Sequence, residues 1–226
     1  MLRYFIEFSY DGTNYHGWQS QPNADSVQQH LEEVLSLLLR ADIVVLGAGR
    51  TDAGVHARKM VAHFDTDNII DIPKILFKMN CLLPADISVY SIKKVKDNAH
   101  ARFDALSRTY RYYVHTDKNP FIKDYALRFY FPLDLDLMNK AAELLLHHDD
   151  FESFCKANSD NKTTLCNVTE ARWVRTSDVE FHFVITANRF LRNMVRAIVG
   201  TLLQVVMNNM TVEQFEDVIN QKTRTI

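Results

Sequence analysis

The stretch Gly-Arg-Thr-Asp-Ala-Gly-Val-His-Ala occupies residues 49–57, directly after the segment that begins with the apolar run Ile43 to Leu46. It places the carboxylate of Asp52 between two glycines and close to the guanidinium of Arg50. Glycines permit positive φ and close approach of a second backbone. A guanidinium keeps a nearby carboxylate ionised or binds a phosphate. An ionised Asp on such a loop can act as a nucleophile, and the alternative is an Asp that caps a turn.

Length and composition restrict the class of protein. The chain has 226 residues, of which 47% are hydrophobic and 24% are charged. This length and hydrophobic content can form the core of one large domain or of two small ones. The net charge of −2 argues against a uniformly basic nucleic-acid binder, so that any RNA site must be a local basic cleft. Cys81, Cys155 and Cys166 cannot all pair and match no zinc spacing, which predicts reduced thiols in the cytoplasm. No apolar run is long enough to predict a membrane span.

Hydrophobic periodicity predicts strands and helices that alternate along the whole chain. Ser26 and Asp71 begin two helices, and Ser26 with Gln29 matches a capping box. A polar loop before Ser26 carries Trp18, which we expect to be exposed. The predicted strands are Leu2–Tyr10, Ile43–Leu46, Val61–Asp65, Ile87–Lys96, Arg108–Thr116, Val168–Arg175 and Val179–Ala187.

Three further helices complete the pattern. Asp134 caps a helix that runs through Leu146, and Thr211 with Gln214 caps a final one. The clearest predicted helix is Phe190 to Met207, because it has a broad apolar stripe. We predict an α+β protein with a largely antiparallel central sheet and two similar, ferredoxin-like or RRM-like halves. We predict that residues 1–100 form the first half, which carries the Asp52 loop, and that residues 101–226 form the second half, which carries the strand from Arg108 and the long helix.

Basic residues alternate with aromatic residues near the middle of the chain. The segment Asn98 to Phe103 precedes the strand Arg-Thr-Tyr-Arg-Tyr-Tyr at residues 108–113. Guanidinium groups neutralise phosphate and rings stack on unpaired bases, so this composition suits RNA. The alternative is a two-faced strand whose tyrosines pack in the core.

The predicted long helix carries Arg189, Arg192 and Arg196 at spacings that place them on one polar face beside the apolar stripe. A solvated helix face explains such a row equally well. The adjacent histidines His147 and His148 point in different directions on a helix, so we predict a polar helix end there and no metal site.

The run at residues 49–57 resembles the catalytic signature of the tRNA pseudouridine synthase A family, in which its Asp attacks the target uridine. Gly-Trp-Gln-Ser-Gln-Pro at residues 17–22 resembles the family's first motif. Phe-Leu-Arg-Asn-Met-Val-Arg-Ala-Ile-Val-Gly at residues 190–200 resembles its third motif. The resemblance extends from the first strand to the last long helix.

The resemblance implies a role for each matching residue. Asp52 is the catalytic residue, and Tyr110 stacks on the target base. Arg196 forms an ion pair with Asp52, and Gly200 lets the helix approach closely. The substrate-binding residues are then Tyr110, Arg50 and Arg196. The RNA-binding residues are His100, Arg102, Phe103, Arg108, Arg111, Lys162, Arg189 and Arg192, of which the first three help to evict the base.

Two segments depart from the family pattern. Asp160 to Thr164 stands where relatives carry a Ser-Arg-containing RNA-contact loop. Lys162 there lacks the bidentate fork of Arg, and Asp160 adds a repelling charge. The sequence stops at Lys222-Thr-Arg-Thr-Ile226, where family members continue to a closing strand, so either that strand is absent or the chain is shortened.

The resemblance implies a cytoplasmic homodimer that converts uridine to pseudouridine at positions 38–40 of the tRNA anticodon stem-loop. The base must leave its stack for this chemistry. Asp52 is either the nucleophile or a base, and no redox, metal or nucleotide cofactor is expected. Two rivals remain: a non-catalytic RNA-binding module of the same fold, and an enzyme that binds a nucleotide phosphate with the glycine-rich loop.

Overall fold

The computed structural model describes residues 1–156 and 162–223. The chain forms two compact units, Met1–Ala105 and Leu106–Ile226. Each unit has its own four-stranded sheet and its own hydrophobic core. No helix in these described ranges is long and apolar enough to cross a membrane.

The first unit follows a β-α-β-β-α-β order. Its sheet has the strand order β2-β3-β1-β4, and all neighbouring strands are antiparallel. The elements are β1 (Leu2–Tyr10), α1 (Val27–Leu39), β2 (Val45–Gly47), β3 (Ala57–Thr66), α2 (Ile72–Leu82) and β4 (Ile87–Lys94).

Strict alternation along β1 gives the first sheet two different faces. Tyr4, Ile6 and Phe8 are buried in a core that also contains Leu31 of α1 and Met79 of α2. The residues between them on β1 are only half-buried and lie on the face opposite the helices. The helices therefore cover one face of the first sheet, and its loops and its other face remain accessible.

The second unit follows a related β-β-α-β-β-α-α order, with a short strand before its first helix and a helix where the first unit has its last strand. Its sheet has the order β6-β5-β8-β7, in which only β5 and β6 are parallel. The elements are β5 (Arg108–His115), β6 (Leu127–Arg128), α3 (Leu135–Glu143), β7 (Val168–Arg175), β8 (Glu180–Ala187), α4 (Met194–Val206) and α5 (Val212–Asn220). Two similar halves in an α+β protein with largely antiparallel sheets confirm the predicted fold class.

The predicted helix starts rest on visible caps. The side chains of Ser26, Asp71 and Asp134 each accept a hydrogen bond from the backbone N–H three residues later. Thr211 and Gln214 form the complete predicted capping box. At Ser26 only half of the box forms, and the side-chain amide of Gln29 donates to Glu33 at 2.8 Å.

Three predictions about local structure are wrong. The long helix begins at Met194 and not at Phe190, because Asn193 has a left-handed conformation with φ of 65° that an α-helix cannot continue through. The second strand is Val45–Gly47, not Ile43–Leu46. Trp18 is buried, with 3% of its surface exposed, because its ring packs on Phe8 with the centroids 5.5 Å apart.

Candidate active site

The loop that carries Asp52 joins β2 to β3 and is fixed through Thr51. The hydroxyl of Thr51 lies 2.9 Å from that of Tyr10, at the end of β1. The carbonyl oxygen of Thr51 accepts a hydrogen bond of 3.2 Å from the backbone N–H of Trp18. The residue immediately before Asp52 is therefore held from two directions, by a strand end and by the loop before α1.

Close contact between two loops explains two glycines of the segment before α1. Gly17 has a φ of +96°, and a Cβ atom there would lie 2.3 Å from the carbonyl oxygen of Thr51. A Cβ atom on Gly12 would lie 2.1 Å from the carbonyl oxygen of Val55. Residues with side chains cannot approach so closely, so both positions require glycine for the two loops to meet.

Three further contacts join the same loops beyond Asp52. The backbone N–H of Gly12 donates to Nδ1 of His56 at 3.0 Å. Nδ1 of His56 also lies 2.9 Å from Oδ1 of Asp11. The backbone N–H of Gly54 donates to the carbonyl oxygen of Tyr15 at 3.3 Å. His56 thus braces the end of the loop that carries Asp52, next to the start of β3.

Tyr15 is itself held in place by a carboxylate. Its hydroxyl donates a short hydrogen bond to Asp86, and only 4% of the residue is exposed. Burial, followed by the hydrogen bond to Asp86, raises the pKa of Tyr15 well above its usual value, so the phenol stays protonated. Tyr15 is therefore neutral and held in place, and its backbone carbonyl is a fixed acceptor for the N–H of Gly54.

Asp52 is half-buried at the turn of this braced loop, and its carbonyl oxygen accepts a hydrogen bond from the N–H of Val55 at 3.2 Å. Gly54 completes the turn with a φ of +73°. Arg50 is exposed on the same loop. A carboxylate on a rigid, partly accessible loop with a cation nearby can attack an electrophilic carbon or remove a proton.

The predicted RNA-contact segment follows β4 and belongs to the first unit. Arg102 and Phe103 are exposed, the latter over 75% of its surface, and the guanidinium of Arg102 lies 5.9 Å from the centroid of the Phe103 ring. His100 is half-buried, and its ring packs against that of Phe103 with a centroid distance of 4.2 Å. The three residues therefore form one small surface of basic and aromatic groups.

In the second unit, β5 brings Tyr110 to the edge of the core. Tyr110 is half-buried and meets Phe190 edge-on, with the ring centroids 5.0 Å apart. Nη1 of Arg108 donates to the carbonyl oxygen of Asn188 at 2.9 Å. The start of β5 and the segment before α4 are therefore neighbours. Arg111 is exposed on the opposite face of the strand.

The predicted row of arginines on one helix face is wrong. Arg189 is half-buried and Arg192 is exposed, and both precede α4, while Arg196 is exposed on its first turn. The backbone carbonyl of Arg192 accepts a hydrogen bond of 3.0 Å from Lys156. A Cβ atom on Gly200 would have no neighbour within 4 Å among the described residues, so no close packing explains this glycine.

The loop that departs from the family pattern is only partly visible. Asp160 lies outside the described residues, as does the end of the chain from residue 224. Lys162 is exposed. Within residues 1–156 and 162–223, no group of three metal-ligating side chains is present. Nε2 of His148 lies 3.6 Å from Oε1 of Glu216.

Sequence reasoning missed the residues that brace the loop with Asp52. Tyr10 and Tyr15 read as ordinary strand and loop residues, and Gly12 read as half of a turn. Their partners lie about 40 positions away in the sequence, so that no local pattern shows the contact. The usable signal was the likeness of residues 17–22 to a family motif, which marks the partner loop.

Comparison with known proteins shows the class. The model of a family described as tRNA pseudouridine synthase matches residues 7–104 and 141–226. The first matched segment contains the loop with Asp52 and the second contains helix α4, whereas β5 with Tyr110 lies between the two segments and outside the match. The chain belongs to the tRNA pseudouridine synthase family.

Individual relatives are similar over almost the whole chain. It is 55% identical to tRNA pseudouridine synthase A of Bacteroides thetaiotaomicron, covering 99% of this chain and 84% of that protein. It is 52% identical to the protein of the same name from Bacteroides fragilis, covering 98% and 88%. For the protein from Porphyromonas gingivalis the identity is 50%, covering 100% and 90%.

Proposed function

We propose that this chain converts uridine to pseudouridine at positions 38–40 of the tRNA anticodon stem-loop. Support comes from the relatives, which are named tRNA pseudouridine synthase A, and from the loop that carries Asp52. The observation that carries the proposal is the bracing of Thr51 by Tyr10 and Trp18, which fixes the backbone beside a half-buried carboxylate. Catalytic groups need such supported positions.

Asp52 is the proposed nucleophile or base of the reaction. The bond between C1′ and N1 of the uridine breaks, the uracil rotates, and a bond between C1′ and C5 forms. The proton leaves C5 and N1 gains one, so that substrate and product have the same composition. No oxidant or reductant enters this balance.

The remaining assignments follow from the resemblance. Tyr110 is proposed to stack on the flipped base, and Arg50 and Arg196 to bind the substrate. The segment from His100 to Phe103 is proposed to enter the RNA, with Arg108, Arg111, Lys162, Arg189 and Arg192 contacting phosphates. A homodimer is proposed, because the anticodon stem is longer than the footprint of one small domain. A cytoplasmic location is proposed from the resemblance.

The test of this function is release of tritium from tRNA labelled at C5 of uridine. Because C5 loses its hydrogen only when the new glycosidic bond forms, each turnover releases one tritium to water. The wild-type chain should release tritium from unmodified tRNA and release none when uridines 38–40 are replaced by cytidine. Release that is unchanged by this replacement would refute the proposed positions, and no release would favour a non-catalytic RNA-binding module.

A further inference from the structure

The helix-free face of the first sheet holds three side chains, Arg3, His63 and Asp65, which we call the clamp because they anchor the loop after β4. Arg3 on β1 is paired with Asp65 on β3 in the register of the sheet. Nε and Nη2 of Arg3 donate to the two carboxylate oxygens of Asp65, both at 2.8 Å. Nη1 of Arg3 donates to the carbonyl oxygen of Ala99, also at 2.8 Å. One guanidinium therefore joins the sheet to the loop after β4.

His63 fixes the same loop two residues further on. It is almost fully buried, with 1% of its surface exposed, and its Nδ1 accepts a hydrogen bond of 3.3 Å from the N–H of Ala101. Burial, followed by the charge of Arg3, lowers the pKa of His63. The ring is therefore neutral near pH 7, which leaves Nδ1 able to accept.

His100 folds the turn between these two anchors and the exposed residues. Its Nδ1 accepts from the backbone N–H groups of Arg102 at 3.1 Å and Phe103 at 3.4 Å, and its ring meets His63 at a centroid distance of 4.6 Å. The backbone N–H of His100 donates to the carboxylate of Asp104 at 2.8 Å. Nδ1 and the backbone N–H of His100 are thus engaged within the turn, and Arg102 with Phe103 forms its exposed surface.

We propose that Arg3, His63 and Asp65 are positioning residues that hold the turn at residues 99–103 ready for RNA. This inference rests on the proposed function, in which Arg102 and Phe103 contact the tRNA. A side chain that is already ordered loses less conformational entropy when it binds. The clamp therefore increases tRNA affinity through Phe103 without touching the RNA, and His100 acts mainly by folding the turn.

The experiment is a double-mutant cycle on tRNA affinity, with Arg3→Lys and Phe103→Ala. Lys keeps a positive charge beside Asp65, but a single ammonium group cannot replace the fork that also reaches Ala99. In the wild-type background, Phe103→Ala should weaken tRNA binding at least about five-fold, as expected for loss of a stacking ring. In the Arg3→Lys background it should weaken binding less than about two-fold. Equal losses in both backgrounds would overturn the proposal.

The matched control is Arg40→Lys, the same substitution at an exposed arginine at the end of α1. Helix α1 packs on the other face of the sheet, so this variant should leave the effect of Phe103→Ala unchanged. A smaller Phe103 effect in the Arg40→Lys background would overturn the assignment to the clamp.

Hydrogen exchange supplies a second readout that does not depend on activity. His63→Leu should speed exchange of the Ala101 amide, while His63→Asn should preserve its protection, since the side-chain oxygen of Asn can accept in place of Nδ1. Equal protection in the His63→Leu variant would overturn the role of His63. If the wild-type chain released no tritium, the proposed function would fail, but the binding cycle and the exchange would still decide the clamp.

Discussion

The hydroxyls of Tyr10 and Thr51 lie 2.9 Å apart, and this contact joins the end of the first strand to the residue before Asp52. Tyr10 is buried, with 4% of its surface exposed, so its hydroxyl is held by the packing around its ring. A buried strand end is a rigid support. The position of the candidate catalytic carboxylate therefore depends on a residue of the hydrophobic core.

Removing that contact should weaken the enzyme and the fold together. Tyr10→Phe should lower the free energy of unfolding by about 1 kcal/mol, the usual net value of one hydrogen bond, and reduce tritium release. Thr51→Val should do the same. Since both changes remove one shared contact, the double variant should cost less than the sum of the two. Urea denaturation and tritium release measure both effects, and strictly additive losses would show that the contact is unimportant.

Gly17→Ala should lower the thermal stability of the protein far more than the same substitution in the loop that carries Asp52. The φ of +96° disfavours any side chain, and the new Cβ atom would lie 2.3 Å from the carbonyl oxygen of Thr51. The strained backbone alone costs about 1–3 kcal/mol. Gly49→Ala is the control, because a Cβ atom there has no neighbour within 4 Å. Similar thermal stability of the two variants would contradict the close approach of the loops.

His63→Asn should change how stability depends on pH. Burial, followed by the charge of Arg3, lowers the pKa of His63 below its ordinary 6.5, so the unfolded chain takes up a proton first as the pH falls. His63 therefore contributes stability that is complete above about pH 6.5 and is lost as the pH falls through the lower folded-state pKa. The free energy of unfolding should fall less steeply below pH 6.5 in the variant. Identical slopes in urea titrations would contradict a neutral, buried His63.

Tyr110 offers a choice between a stacking ring and a reacting hydroxyl. Tyr110 is half-buried, and its ring already meets Phe190 edge-on. If the ring stacks on the base, Tyr110→Phe should keep most of the activity. Tyr110→Leu should lose about 1–3 kcal/mol of binding free energy, which is a loss of at least about five-fold in affinity for the base. Steady-state tritium release measures both variants. Near-wild-type activity of the two would mean that Tyr110 is ordinary sheet packing.

Much of the architecture could be predicted from the sequence because its signals are local. Alternation along Leu2–Tyr10 predicts that strand to the residue, and Thr211 with Gln214 marks the last helix through a cap that spans three positions. The start of α4 could not be predicted in this way. The apolar stripe continues back to Phe190, and only the left-handed backbone of Asn193 shows that the helix begins later.

The loop that carries Asp52 could be located from the sequence, but the contacts that support it could not. Asp52 stands in a recognisable run, whereas Tyr10, Gly12 and Arg3 make their contacts with partners distant in sequence. Trp18 shows the same limit: a polar neighbourhood predicts an exposed ring, and packing on Phe8 buries it. Long-range contacts of this kind are set by the sheet register, which a local pattern does not contain.

The most direct test of the proposed chemistry is tritium release by Asp52→Asn in a single turnover on unmodified tRNA. Asn has nearly the same size and polarity as Asp but no negative charge with which to attack or to accept a proton. We predict loss of all detectable release, with tRNA affinity within a few-fold of wild type, while Asp25→Asn, a carboxylate outside the braced loop, remains active. Substantial release by Asp52→Asn would contradict the assignment of Asp52 as the catalytic residue.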